Sequence, residues 1–107
     1  MTRIASRWDG PVWHLAVDGH AGYDDGGRDI VCSAISMLCC ALAASLSDAP
    51  GVDDLTVDRA PGRFHLTAAV AEGAGPARGM IRMAEVGLGM GAEGDGGWVR
   101  IEMGEGV

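Results

Sequence analysis

The chain has 107 residues and a formal net charge of −7, with eight arginines and no lysine against 15 acidic residues. This length suits a single domain, spanning 1–107, with one hydrophobic core. The lack of a basic cluster argues against direct nucleic-acid binding. The N-terminus has no apolar signal segment, and serines interrupt the longest apolar-rich run, 30–46, so we expect neither a membrane span nor membrane association.

The first segment predicts a hairpin. Ile4, Ser6 and Trp8 alternate with Arg3, Ala5 and Arg7, which is typical of a half-exposed strand, and Asp9-Gly10 is a turn signal. A second strand over 11–18 would place Trp13, Leu15 and Val17 on one face. A glycine- and aspartate-rich loop is expected over 19–28.

The next segment predicts a helix over 30–47, with Asp29 as its N-cap. Five apolar residues form one stripe along it, and further apolar residues cover much of the remaining surface. The stripe consists of Val31, Ile35, Leu38, Leu42 and Leu46. A two-layer domain buries one stripe of a helix, so the excess indicates either a homodimer or a helix sunk deep in its own core.

The second half of the chain repeats the order strand, strand, helix and adds a final strand. Strands are predicted over 52–58 and 63–70, joined across Arg59-Ala60-Pro61-Gly62. A helix over 76–90 follows, and a last strand runs over 98–103. The fold class is therefore α+β, a single two-layer domain of order ββαββαβ with two helices packed on a mostly antiparallel sheet.

The three cysteines, Cys32, Cys39 and Cys40, lie on one predicted helix. Cys32 and Cys39 are about 10 Å apart along the axis, too far for a disulfide, and adjacent cysteines pair poorly within a helix. A reducing cytoplasm is therefore the expected location. We expect Cys39 and Cys40 to be buried apolar residues.

Cys32 differs from the other two because it would lie in the first turn of the helix. Free backbone amides and the helix dipole lower a thiol pKa there, and the amides can hold an oxyanion. His20, at the end of the second strand, could share the thiol proton. Ser36 lies one turn beyond Cys32 on the same face, and Asp29 could orient His20. Spacing alone also allows a buried cysteine and a polar turn histidine.

Three motifs resolve this ambiguity by resemblance. Gly19-His20-Ala21, Gly27-Arg28-Asp29-Ile30-Val31-Cys32 and Ala34-Ile35-Ser36 resemble the signature of the ribosomal-processing cysteine protease family, Prp. Ile35 stands where that family usually has valine, and Ser33 where it often has alanine. The likeness is specific from Gly19 to about Leu38 and weak in the glycine-rich C-terminal third.

The resemblance implies a small dimeric endopeptidase that removes the N-terminal extension of a large-subunit ribosomal protein precursor. His20 matches the catalytic histidine and Cys32 the nucleophile, while Asp29 and Ser36 match positions that support the site. It also implies a mobile loop that orders over the bound peptide. Gly22, Gly26 and Gly27 fit this role, and Tyr23 could be either a substrate contact in the loop or a solvent-covered turn residue.

We expect no metal and no cofactor. His20, Asp24, Asp25 and Cys32 would combine soft and hard donors on a flexible loop, which makes a poor zinc site. His14 and His65 fall at polar-face strand positions and are expected at the surface.

Two alternatives remain open. One is a non-catalytic dimeric module that binds a peptide or assists ribosome assembly. The other is a thiol redox sensor, although Cys39 lies two helical turns from Cys32 and is poorly placed as a resolving cysteine.

Overall fold

The computed structural model describes the backbone of residues 2–19, 26–94 and 99–105, and the side chains of residues 3–19 and 33–90. Within these residues the order is ββαββαβ, as predicted from the sequence. The elements are β1 Thr2–Asp9, β2 Val12–Asp18, α1 Gly26–Ser47, β3 Val52–Ala60, β4 Arg63–Val70, α2 Gly75–Gly94 and β5 Val99–Glu105.

The five strands form one sheet in the order β3-β4-β2-β1-β5. Every neighbouring pair is antiparallel except β1 and β5, which run parallel. The hairpins turn through Gly10-Pro11 and Pro61-Gly62, and Gly10 and Gly62 have φ of 59° and 76°. Only glycine adopts such angles without strain, which explains these residues at the turns.

The core lies between the sheet and the two helices. Trp13, Leu15 and Val17 are buried on one face of β2, as the alternation predicts. Trp13 Nε1 donates to Ser6 Oγ at 3.0 Å, and Ser6 Oγ donates to Glu85 Oε2 at 2.5 Å. These bonds satisfy polar groups inside the core and tie α2 to the sheet.

The helices bury the expected sides with two exceptions. On α1, Ile35, Leu42 and Leu46 are buried as predicted. Leu38 is only partly buried, because it points sideways against Gly87 of α2. Cys39 is buried as expected, but Cys40 is exposed, so that prediction was wrong for Cys40. The two cysteines differ because a rotation of about 100° per residue turns Cys40 away from the sheet.

The start of α1 also differs from the prediction. The helix begins at Gly26, so Gly26 and Gly27 belong to its first turn and not to the preceding loop. Asp29 is therefore inside the helix and is not its N-cap. Local propensity disfavours glycine in a helix, which is why the sequence pattern placed the boundary too late.

No described helix combines the length and the hydropathy that a bilayer crossing requires.

Candidate active site

A groove of about 180 Å³ opens between α1, the end of β2 and the β3–β4 turn. Its lining residues come from all three elements, which are distant in sequence. They are Val17, Gly19, Ile35, Ser36, Cys39, Cys40, Arg59, Ala60, Gly62, Arg63 and Phe64. Beside the groove, the helix side of the edge strand β3 is partly uncovered. Val57 on that strand is accordingly 39% exposed.

The floor of the groove is apolar and its outer margin carries a cation. Val17, Ile35 and Phe64 are buried and form the floor. Arg59 is opposite Phe64 in the β3–β4 register, so both side chains lie on the helix side of the sheet. From there Arg59 Nη1 donates a hydrogen bond to Cys40 Sγ at 3.2 Å.

Arg63, the second arginine that lines the groove, already forms an ion pair within the protein. Its Nη2 lies 3.2 Å from Asp58 Oδ2, an ion pair between residues that are both exposed. A further pair on the open face of the sheet joins His65 Nε2 to Asp18 Oδ1 at 2.7 Å. His65 is therefore a half-exposed surface residue, in agreement with the sequence analysis. Among the described residues that line the groove, Arg59 is the arginine on the helix side of the sheet.

The two adjacent cysteines differ in exposure, and burial alters the ionisation of Cys39. Burial, with a smaller contribution from the neighbouring Cys40 charge, raises the pKa of the Cys39 thiol from 9.0 to about 12. Cys39 therefore stays protonated at neutral pH and is a poor nucleophile. The Cys40 thiol is exposed in the groove and accepts a hydrogen bond from Arg59.

The structure brings together the chain segments that flank the predicted dyad. Gly19 directly precedes His20, Ser36 follows Cys32 by one helical turn, and both Gly19 and Ser36 line the groove. His20, Gly22 and Tyr23 lie outside the described residues. The backbone of Asp29 and Cys32 lies in α1, and their side chains are outside the described set.

The early start of α1 changes the expected electrostatics of Cys32. Cys32 is the seventh residue of the helix, so its amide lies beyond the first turn, where backbone N–H groups are free. The dipole effect decays within that turn. The prediction that Cys32 lies in the first turn of the helix, among its free amides, was therefore wrong.

Sequence reasoning missed Arg59 as a residue of the site. The signal was present, because Leu55, Val57 and Arg59 alternate along one side of β3 and the first two are apolar. An arginine on the apolar side of an edge strand is unusual enough to be singled out.

The sequence and the fold can now be compared with known proteins. The model of a family described as cysteine protease Prp matches residues 1–88. The chain belongs to this Prp family. It is therefore a cysteine protease, as the resemblance implied. No curated protein matches its sequence.

Solved structures agree with the fold over nearly the whole chain. An essential ribosomal processing protease Prp from S. aureus, in complex with a covalently linked product peptide, has a TM-score of 0.77 and 23% identity. The alignment covers 96% of this chain and 99% of that one. SMU.848 from Streptococcus mutans has a TM-score of 0.75 and 20% identity, covering 98% of this chain and 95% of its own. The Prp fold thus extends through β5, beyond the residues matched by the family model.

The part of the chain that the structure describes contains no candidate metal site. No three His, Cys, Asp or Glu side chains among those residues come close enough to hold a metal ion. The combination of His20, Asp24, Asp25 and Cys32 that the sequence raised lies outside the described side chains.

Proposed function

We propose that this protease removes the short N-terminal extension of a large-subunit ribosomal protein precursor in the cytoplasm, with Cys32 as nucleophile and His20 as general acid and base. One observation carries the proposal. The chain segments that lead into His20 and away from Cys32 border the same groove, which has the apolar floor that a peptide side chain needs.

The comparisons supply the substrate class. The S. aureus relative is a ribosomal processing protease, and it has been solved both with a substrate peptide and with a covalently linked product peptide. The structure with the substrate peptide has a TM-score of 0.75 and 18% identity, covering 96% of this chain and 99% of that one. A shared family and fold make the same reaction the natural assignment for this chain.

The reaction is an acyl transfer in two halves. The Cys32 thiolate attacks the scissile carbonyl carbon and forms a C–S bond, while the carbonyl oxygen takes the negative charge. The imidazolium of His20 gives its proton to the leaving amine as the C–N bond breaks, which leaves a thioester. His20 then takes a proton from water, whose oxygen attacks the thioester and releases the acid and the thiolate.

Two further residues support this chemistry in the proposal. Asp29, three residues before Cys32, orients the His20 imidazole. Ser36 is an exposed groove residue, and its hydroxyl hydrogen-bonds the peptide backbone. The segment that contains Gly22 and Tyr23 covers the bound peptide.

The proposal is tested by cleavage of a peptide that spans the extension junction of the same organism's ribosomal protein, followed by mass spectrometry. One defined cut is expected from the wild type and none from Cys32→Ala or His20→Ala. His14→Ala, on the open face of the sheet, is the matched histidine control and should cut normally. Cleavage that persists in Cys32→Ala would refute the dyad. No cleavage by the wild type would refute the substrate and favour a peptide-binding module or a redox sensor.

The proposed assembly is a homodimer formed through the outer face of the two helices. This outer helical face is defined by Met37 on α1 and by Met83, Val86 and Met90 on α2, which are 45–70% exposed. Exposed side chains of this size on neighbouring helices are typical of an interface. Light scattering should give a dimer for the wild type and a monomer for Met83→Glu, whereas a wild-type monomer would refute the assembly.

A further inference from the structure

We propose that Arg59 makes the groove selective for peptides with an acidic side chain about three residues from the scissile bond. The inference rests on the proposed function, because it names a specificity determinant of the same site. It assigns Arg59 a binding role and no part in bond making or breaking.

The first argument is the state of the Arg59 guanidinium. In the described part of the chain its hydrogen-bond partner is the Cys40 thiol, which is a weak acceptor for a group with five N–H donors. Arg63, by contrast, is paired with the Asp58 carboxylate. None of the described residues that line the groove is acidic. A peptide carboxylate would therefore give Arg59 the bidentate partner that the described residues do not provide.

The second argument is the orientation of Arg59. Its β3 position alternates onto the helix side of the sheet, beside Phe64, and its Nη1 reaches across to Cys40 on α1. The cation therefore lies at the margin of an apolar floor. A peptide segment that places an apolar side chain on this floor can place a neighbouring acidic side chain at Arg59.

The third argument is distance, and it decides which carboxylate Arg59 can bind. Cys40 follows Cys32 by eight residues, which corresponds to about 12 Å along a helix. An extended peptide advances about 3.3 Å per residue, so a chain that follows the groove reaches Arg59 roughly three to four residues from the scissile bond. The new terminal carboxylate of the product forms at Cys32 and is too far away. The ligand is therefore an acidic side chain.

The fourth argument is the charge of the whole chain. At a net charge of −7 the protein repels an acidic peptide at long range. The attraction of a single arginine in the groove exceeds this long-range repulsion only for a carboxylate in direct contact with the arginine. Selectivity should therefore depend on the position of the acidic residue and not on the total charge of the peptide.

The experiment is a substitution series in the junction peptide. Glutamate and glutamine are compared at each of the five positions on either side of the scissile bond, and kcat/KM is measured for each peptide. The wild type should prefer glutamate over glutamine about fivefold at one position, mainly through KM, with less preference in high salt. Arg59→Gln should remove the preference, and Arg59→Lys should retain part of it.

Arg63→Gln is the matched control, because it removes an arginine that also borders the groove but is paired with Asp58. It should keep the preference of the wild type. Equal rates for glutamate and glutamine at every position in the wild type would overturn the inference. An unchanged preference in Arg59→Gln would overturn it as well.

A second readout separates this inference from the proposed function. In the Cys32→Ala variant, alkylation of the exposed Cys40 thiol by iodoacetamide reports whether the groove is occupied, and it needs no cleavage. At one position of the series, the peptide with glutamate should slow alkylation more than the peptide with glutamine. Arg59→Gln should abolish this difference. If the wild type cleaves nothing but this protection appears, the proposed function fails and the Arg59 site stands. Cleavage without differential protection overturns the Arg59 site alone.

Discussion

The two sides of α1 show how one helix serves both the fold and the site. The side that faces the sheet, the packed side, carries Ile35, Leu42 and Leu46, each at most 5% exposed. The side that borders the groove, the groove side, carries Ser36 and Cys40, both exposed. The packed side stabilises the domain by burial of apolar area, whereas the groove side leaves short polar groups facing an open cleft.

Cys39 and Cys40 show the same contrast in adjacent residues of one type. Cys39 is 2% exposed and has a raised pKa, and Cys40 is exposed beside a guanidinium. Their chemistry differs because helical rotation places one against the sheet and the other toward the groove. A substitution on the packed side should therefore act on stability, and one on the groove side should act on peptide binding.

The largest effect on stability is expected for Leu46→Ala. Leu46 is 1% exposed, and truncation of such a residue leaves a cavity as well as removing apolar burial. The free energy of unfolding should fall by about 2–5 kcal/mol. Ser36→Ala on the groove side is the matched comparison and should change stability by no more than about 0.5 kcal/mol. Urea denaturation at neutral pH measures both variants. A comparable loss in the two variants would show that the groove side is also part of the packed core.

The raised pKa of Cys39, on the packed side, predicts that the free energy of unfolding depends on pH. Its pKa is raised from 9.0 to about 12 by folding, so above pH 9 the unfolded chain releases the thiol proton while the folded chain keeps it. The contribution of the protonated Cys39 thiol to the free energy of unfolding is therefore complete below pH 9. This contribution is lost as the pH rises toward 12. The loss is up to about 1.4 kcal/mol per pH unit.

The measurement is the free energy of unfolding of three proteins between pH 8 and pH 10.5. Stability should fall more steeply with pH in the wild type and in Cys40→Ala than in Cys39→Ala. We compare the slopes of the free energy of unfolding against pH because truncation of the buried Cys39 also lowers stability by an amount that does not depend on pH. This constant loss does not affect the slope. Equal slopes in all three proteins would show that Cys39 does not stay protonated in the fold.

The sequence predicted most of the fold because the signals for it are local. Alternation on β2 and the turn glycines Gly10 and Gly62 depend on neighbouring residues alone, and the structure agrees with each of them. The start of α1 was placed four residues late, because an aspartate before an apolar run resembles an N-cap. The two glycines that precede it have poor helix propensity, and the structure nevertheless includes them in the helix.

The groove was less accessible to sequence reasoning because it depends on contacts between distant segments. The Arg59–Cys40 bond joins residues 19 positions apart, and the floor combines residues from β2, α1 and β4. The exposure of Cys40 depends on how far α1 covers the edge strand, and no local pattern specifies that. The assignment of His20 and Cys32 to the site stays a prediction, and it was possible because the motifs that carry the resemblance lie in the sequence itself.

The smallest effect is expected on the third side of α1, where Leu38 meets α2. A Cβ added at Gly87 would lie 2.7 Å from Leu38 Cδ2, whereas a Cβ at Gly79 would meet no atom within 4 Å. Gly79→Ala should stabilise the helix by about 0.5–1 kcal/mol, because alanine loses less backbone entropy. In Gly87→Ala the displacement of Leu38 should cancel this gain or reverse it.

The double variant Leu38→Ala/Gly87→Ala decides whether the contact causes that difference. With Leu38 already truncated, Gly87→Ala should stabilise the protein as much as Gly79→Ala does, as thermal unfolding would show. If Gly87→Ala instead stabilises the wild-type background as strongly as Gly79→Ala does, α1 and α2 are not closely packed there. Close packing would place the third side of α1 with the packed side, and the groove side would remain free to bind a peptide.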